Sequence, residues 1–403
     1  MLDRRMLLAG GALALPGLAP NVASGAPAQK PGRRRGAAPA PTGAPAVTAL
    51  GPIDTSAKYA FAMDFNTGAT LLDKDADVPM PPSSMTKLMT AYIVYSMLKA
   101  GRLQLNQELP VSERAWKMQG SKMFVPLNGT VRVEDLIRGM IVQSGNDACI
   151  VLAEGIAGSE TQFVELMNAK AKEMALKVSV FRNCTGWPDP SQVMSCRDIA
   201  TVSRNLINDF PDFYKYDSEK SFTYNKISQE NRNPLVQKGI SDGLKTGHTD
   251  AGGYGLAAST QRGGRRVILV LNGMTSMHER AEEGEKLMEW TFREFEDVTL
   301  FTAGDTVENA KVWLGSSKTV PLVGGRDLVM TMPRAWRQTA KISVEYPSPL
   351  VAPINRGDVL GKISVTGQGV PAMEIPLLAG ADVGKLGLPG RAISIVSRYV
   401  TGS

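Results

Sequence analysis

Pro81-Pro82-Ser83-Ser84-Met85-Thr86-Lys87-Leu88-Met89-Thr90 is the stretch on which the reading of this chain turns. Pro81-Pro82-Ser83 reads as a loop. Leu88, Met89, Tyr92, Ile93 and Met97 then recur at helical spacing over residues 85–99, with a stop near Gly101. Ser84 therefore stands where a loop enters a helix. Lys87, three residues on, falls on the same face. Taken alone, a Ser-x-x-Lys spacing is a short motif that chance supplies easily, and its serine would read as a helix cap.

Two further short motifs follow in order. Ser144-Gly145-Asn146 lies in a turn between two helical patterns, the first over residues 133–142. Lys245-Thr246-Gly247 sits on a strand beside Gly243, where a ligand backbone could approach closely. Each is weak alone. The ordered set S-x-x-K, S-x-N and K-T-G is the one shared by β-lactamases and penicillin-binding proteins.

The match extends beyond the three cores. Residues 82–90, Ser144-Gly145-Asn146-Asp147-Ala148, Asn231-Arg232-Asn233 and Gly243-Leu244-Lys245-Thr246-Gly247-His248-Thr249 resemble the D-alanyl-D-alanine carboxypeptidases, the low-molecular-mass penicillin-binding proteins. His248-Thr249 after the K-T-G is a mark of that family, as is a β-rich domain after the catalytic one. The similarity spans most of residues 55–390. Ser83 departs from it, since many members carry Ala there. The resemblance implies a β-lactamase-like α/β (α+β) catalytic domain of helices on an antiparallel sheet, followed by a small all-β domain.

Peptide hydrolysis needs a nucleophile, a base and an oxyanion stabiliser. With His248 and His278 the only two histidines, no Ser-His-Asp triad is evident. A serine–lysine pair serves instead if the lysine is neutral, and burial and a neighbouring cation such as Lys245 both favour that state. The resemblance assigns the roles. Ser84 attacks the penultimate D-Ala carbonyl and Lys87 takes its proton. Ser144 relays a proton to the leaving nitrogen, and Asn146 orients side chains and substrate amide. The backbone N–H groups of Ser84 and His248 form the oxyanion hole. Lys245, Thr246, Gly247, Thr249 and Arg232 receive the substrate's terminal carboxylate. The expected substrates are peptidoglycan stem peptides ending in D-Ala-D-Ala, with β-lactam antibiotics as covalent inhibitors.

No cofactor or metal is called for. Cys149, Cys184 and Cys196 are an odd set without a Cys-x-x-Cys pair, so neither a disulfide scaffold nor a zinc site is expected. Of the net charge of +6, residues 1–50 carry six basic groups against Asp3, which leaves the remainder near neutral and argues against a nucleic-acid partner.

Residues 1–28 read as an export signal. Asp3-Arg4-Arg5 precedes an apolar stretch over residues 6–18 and then small residues, and the paired arginines hint at the twin-arginine route. Residues 29–50, rich in Pro and Arg, read as a flexible linker. The catalytic domain is expected over residues 51–298 and the β domain over 299–390, where short apolar runs are separated by Gly and Pro. Residues 391–403 read as a short tail that could serve as a weak membrane anchor, in peripheral contact with the inner membrane. The expected location is the periplasm or the outer face of the cytoplasmic membrane.

Three rivals remain. A class A β-lactamase shares the motifs, but its deacylating Glu has no evident place here and it lacks a trailing β domain. An endopeptidase cutting D-Ala crosslinks is separated poorly by sequence. A non-catalytic protein on the same fold would be expected to have lost Ser84, Lys87 or Lys245, and none is lost.

Overall fold

A computed structural model describes residues 43–337, 341–367, 370–390 and 392. The export signal and most of the linker lie outside these residues, as does all but Ala392 of the tail.

The central element is a seven-stranded antiparallel sheet in the order Gly51–Ile53, Ala46–Thr48, Thr70–Lys74, Tyr59–Asp64, Arg265–Met274, Gly253–Arg262, Thr246–Thr249. Two sequence features build it. The turn at Asn66-Thr67-Gly68 joins Tyr59–Asp64 to Thr70–Lys74, with Gly68 at φ +76°. Asp64 accepts from the backbone N–H groups of Asn66 and Thr67 and closes that turn. Gly263-Gly264, both at positive φ, turns Gly253–Arg262 into Arg265–Met274, ten residues each and longer than the apolar runs alone suggest.

The expected linker ends earlier than residue 50. Ala46–Thr48 is a strand that pairs with Gly51–Ile53 and, through Val47, with Asp73. Small, fully buried Ala46 fits the core against the sheet, which fixes a segment whose composition alone looks disordered.

Helices cover both faces. One face carries Lys87–Lys99, Val133–Ile141, Asn146–Ala157, Glu160–Glu173 and Cys196–Asp209 around a large apolar cluster. Ser159 and Ser195 cap the last two by accepting from Gln162 N and Asp198 N. The other face packs on the amphipathic helix Met277–Glu294 through Leu287, Met288 and Trp290.

From Phe295 onward the described residues form strands with their own buried cluster, including Val320, Leu322, Ile363 and Leu377. Phe295–Phe301 pairs with Leu328–Pro333, and a six-stranded sheet completes the β domain. Among the described residues, no helix is long and apolar enough to cross a membrane.

Candidate active site

The site forms where three segments meet the edge strand Thr246–Thr249. Residues Ser83–Thr86 make a single 3-10 turn before the helix Lys87–Lys99 begins. That turn lifts Ser84 into partial exposure while Lys87 is fully buried. Gly247 lets the edge strand approach closely, since a Cβ there would stand 3.0 Å from Pro82 O and 3.2 Å from Ser84 N. Lys245 just precedes the strand; its carbonyl accepts from Ala257 N.

Lys87 Nζ lies 2.9 Å from Ser84 Oγ, 2.7 Å from Asn146 Oδ1 and 2.6 Å from the Thr185 carbonyl. An amide oxygen and a carbonyl can only accept. A neutral amine retains two N–H groups, and these two partners consume both. Its lone pair is then left for the Ser84 hydroxyl, which is the alignment a general base requires. Burial lowers the Lys87 pKa from its ordinary value, although Asp147 and the neighbouring thiols oppose the shift.

Lys245 is also fully buried, and its ammonium donates to the Thr246 carbonyl at 3.1 Å. Burial lowers its pKa well below the ordinary value, with the charge of Lys87 next and those of Arg280 and Arg232 following. The effect expected of Lys245 on Lys87 thus falls on Lys245, while Lys87 is shifted mainly by its own desolvation.

Ser144 is buried with φ +63°, a left-handed conformation held between the helices Val133–Ile141 and Asn146–Ala157. Asn146 Nδ2 donates to Gln119 O at 2.8 Å, and its backbone N–H to Ser121 O at 2.7 Å. Asp147, fully buried, accepts from the N–H groups of Met123, Phe124 and Val125. The loop over residues 118–125 is thereby fastened beside Ser84, with which Gly120 and Ser121 line a cavity.

A cavity of about 270 Å³ opens at Ser84 and is lined by Gly120, Asn146, Thr185, Trp187, His248 and Thr249, among others. His248 is exposed and stacks on Tyr254 with ring centroids 3.9 Å apart. Thr249 Oγ1 is 2.8 Å from Ser83 Oγ. Lys245, Thr246, Gly247 and Arg232 are not in that lining. Arg232 is exposed and donates to Gln229 Oε1 at 3.3 Å; its link to the centre is its charge on Lys245.

Sequence reasoning passed over five residues. Thr185 supplies the carbonyl on Lys87, and a backbone acceptor leaves no side-chain signal. Gln119 and Ser121 hold Asn146 through their carbonyls in the same silent way. Arg280 is buried, with its Nη2 on the Arg232 carbonyl at 3.4 Å and its Nε without a partner. It lies on the helix Met277–Glu294, whose amphipathic pattern gives no sign that this arginine is buried with its charge felt at Lys245. Asp217 is fully buried within reach of the Lys245 charge, and neither of its carboxylate oxygens has a hydrogen-bond partner. Burial and the charge of Asp242 push its pKa up to about 8 despite Lys245. A single Asp in a loop gives no hint of that environment.

A family model described as D-alanyl-D-alanine carboxypeptidase matches residues 46–275, and one described as the C-terminal domain of penicillin-binding protein 5 matches residues 295–385. The chain is 38% identical over 343 residues to the D-alanyl-D-alanine carboxypeptidase DacC of Escherichia coli, which covers 83% of this chain and 86% of that protein. Its fold matches penicillin-binding protein 5 from Haemophilus influenzae with a TM-score of 0.74 at 38% identity, over 83% of this chain and 99% of that one. It also matches penicillin-binding protein D2 from Listeria monocytogenes in an ampicillin-bound form, with a TM-score of 0.55 at 30% identity, over 60% of this chain and 98% of that one.

Proposed function

This chain belongs to the D-alanyl-D-alanine carboxypeptidase family, and from that membership we propose that Ser84 is its nucleophile and Lys87 the base that activates it. The chain is a serine-type D-Ala-D-Ala carboxypeptidase. The observation that carries the assignment is the contact set of Lys87, which leaves a neutral amine's lone pair for Ser84 Oγ.

The chemistry then runs in two halves. Ser84 Oγ bonds to the penultimate D-Ala carbonyl carbon as its proton passes to Lys87. The backbone N–H groups of Ser84 and His248 receive the oxyanion. Ser144 hands a proton to the departing D-Ala nitrogen as the C–N bond breaks. Water then attacks the ester on Ser84 and frees the shortened stem. Asn146 holds Lys87 in line and meets the substrate amide. Lys245, Thr246, Gly247, Thr249 and Arg232 attract the terminal carboxylate, and buried Arg280 adds positive charge from behind Lys245.

The domains follow this division. Residues 51–294, with the strand Ala46–Thr48 added, perform the chemistry, and residues 295–390 form a β domain outside it, because the strand Phe295–Phe301 crosses the boundary expected at 298 and pairs with Leu328–Pro333. Residues 1–28 direct export, so the enzyme acts on peptidoglycan stems in the periplasm or at the outer face of the cytoplasmic membrane. β-Lactams acylate Ser84, as the ampicillin-bound relative suggests.

The test pairs two measurements. Intact-mass and peptide mapping should place a penicillin adduct on Ser84, and labelling should vanish in Ser84→Ala. Free D-alanine should be released from a peptide ending in D-Ala-D-Ala, with kcat/KM falling strongly when the terminal carboxylate is amidated. An adduct elsewhere refutes the nucleophile. Equal rates on acid and amide refute the carboxylate anchor, and faster cleavage of a crosslinked dimer would make the enzyme an endopeptidase.

A further inference from the structure

Two acids stand against the segment that leads into Lys245, and their surroundings differ. Asp242 accepts from the Tyr214 hydroxyl at 2.7 Å and from Arg266 Nη1 at 2.8 Å. Asp217 is fully buried, and neither of its carboxylate oxygens has a hydrogen-bond partner. A buried carboxylate without donors is costly, so its persistence beside a lysine of the site calls for a physical reason.

The backbone holds Asp217 in that place from two sides. It lies in the 3-10 turn Lys215–Ser218. Asn231 Nδ2 donates to the Asp217 carbonyl at 3.3 Å and to the Glu219 carbonyl at 2.9 Å, and Asn231 N donates to Lys220 O at 2.8 Å. The residue next to Arg232 thus pins the turn that carries the acid. On the other side, Gly243 lets the chain pass close by. A Cβ there would overlap the Tyr214 hydroxyl and stand 3.0 Å from Asp217 Cβ. The same stretch is fixed to the strand Gly253–Arg262, since Asp242 N donates to Ser259 O at 3.0 Å and Lys245 O accepts from Ala257 N at 2.8 Å.

The charges around Lys245 work against its task. A terminal carboxylate is attracted by an ammonium, not by an amine. Burial drives the proton off Lys245, and so do the charges of Lys87, Arg280 and Arg232, with the Cys149 thiol opposing them. Asp217 faces Asp242 and Lys245 from this segment, Tyr214 from the adjoining turn and Tyr95 from the helix Lys87–Lys99. Of these groups, Lys245 is the cation.

We propose that Asp217 is a positioning residue for the substrate carboxylate, acting through Lys245 as the buried counter-charge that keeps this lysine an ammonium as pH rises. The inference rests on the carboxypeptidase reading, in which Lys245 receives that carboxylate. Its sign follows from the order of deprotonation. Burial, and then the charge of Asp242, push the Asp217 pKa up to about 8. Below that pH the side chain is a neutral acid. Above it, the carboxylate attracts the Lys245 proton, so Lys245 loses its charge at a higher pH with Asp217 than without it.

The experiment uses the full chain and one peptide ending in D-Ala-D-Ala, as the free acid and as the amide, and follows release of D-alanine or D-alaninamide. The acid-to-amide ratio of kcat/KM is measured from about pH 5 to 10, where the peptide carboxylate stays ionised. The ratio cancels the titration of Lys87, which acts on both peptides alike. In the unsubstituted chain the ratio should fall as Lys245 deprotonates. Asp217→Asn keeps the shape and removes the charge, and should move that fall to lower pH by about one pH unit. Asp217→Leu should do the same. It replaces the acid with an apolar group of similar volume and serves if the Asn variant does not fold. A purely structural role would slow both peptides together and leave the pH profile of the ratio in place. An unshifted profile in either folded variant overturns the counter-charge and leaves the carboxypeptidase reading standing. Equal rates on acid and amide at every pH in the unsubstituted chain overturn the counter-charge together with the carboxylate anchor. Release from neither peptide overturns the carboxypeptidase reading as well.

Discussion

Lys87, the proposed base, illustrates how burial changes the properties of an ordinary residue. Its side chain is fully enclosed and contacts only acceptors, so its charged form is satisfied in hydrogen bonds but deprived of water. Desolvation penalises the cation and lowers the pKa from 10.5. Because only the neutral amine can take the Ser84 proton, acylation should speed up as pH rises through the Lys87 pKa, with a midpoint below 10.5. Stopped-flow penicillin acylation against pH checks this. A rising limb centred at 10.5, or none at all, would rule Lys87 out as the base. Lys87→Arg keeps the charge but removes the basic lone pair and should slow acylation by about 100-fold or more.

At the scale of elements, the site depends on a close backbone approach on one side and a loop held by side chains on the other. Gly186, at φ +82°, passes so close to the nucleophile turn that a Cβ there would lie 1.8 Å from Ser83 O and 2.9 Å from Ser84 N. Both obstacles are backbone and cannot swing aside. Gly186→Ala should therefore displace the turn Ser83–Thr86, and a misplacement near 1 Å is worth about 100-fold in rate. The comparison is the penicillin acylation rate of the variant against its folded fraction by near-ultraviolet circular dichroism. A folded variant acylating at the normal rate would show that the approach has no catalytic consequence. Asn146 and Asp147 perform the matching task on the other side, fastening the loop over residues 118–125 to the helix Asn146–Ala157.

Across the whole molecule, the two domains meet through a polar cluster centred on buried Arg265 and Asp64. Arg265 donates from Nε to Asp64 Oδ2 at 2.9 Å and from Nη1 to the Thr291 and Phe295 carbonyls at 3.0 Å each. Asp297 lies 3.4 Å from Arg265 Nε and accepts from Thr331 Oγ1 at 2.7 Å, and Thr331 in turn meets Thr67 Oγ1. Thr331→Val removes one hydroxyl and leaves Asp297 with one fewer donor, at about 1–3 kcal/mol of stability. Denaturant unfolding should register that loss while penicillin acylation at 25 °C stays at the rate of the unsubstituted chain. A large fall in acylation with unchanged stability would instead tie the β domain to the chemistry. Arg265→Met should be more severe, at about 3–5 kcal/mol, because two carboxylates lose their buried cation.

What the sequence determined by itself was the set of local decisions. Helical spacing after Pro81-Pro82, serine caps at Ser159 and Ser195, and glycine turns at Gly68 and Gly263-Gly264 act within a few residues of themselves, so they are legible along the chain. The ordered serine, asparagine and lysine motifs, widened by their flanking residues, pointed to the family in the same way. Tertiary structure alone decided which groups meet and in what charge state. The Thr185 and Gln119 carbonyls act through backbone, which every residue shares, and so carry no sequence mark. Ala46–Thr48 joined the sheet although its composition matched the linker, because pairing of Val47 with Asp73 and burial of Ala46 in the core outweighed its weak local preference. The lowered pKa values of Lys87 and Lys245 and the raised one of Asp217 come from desolvation, a property of the enclosing fold rather than of any residue type.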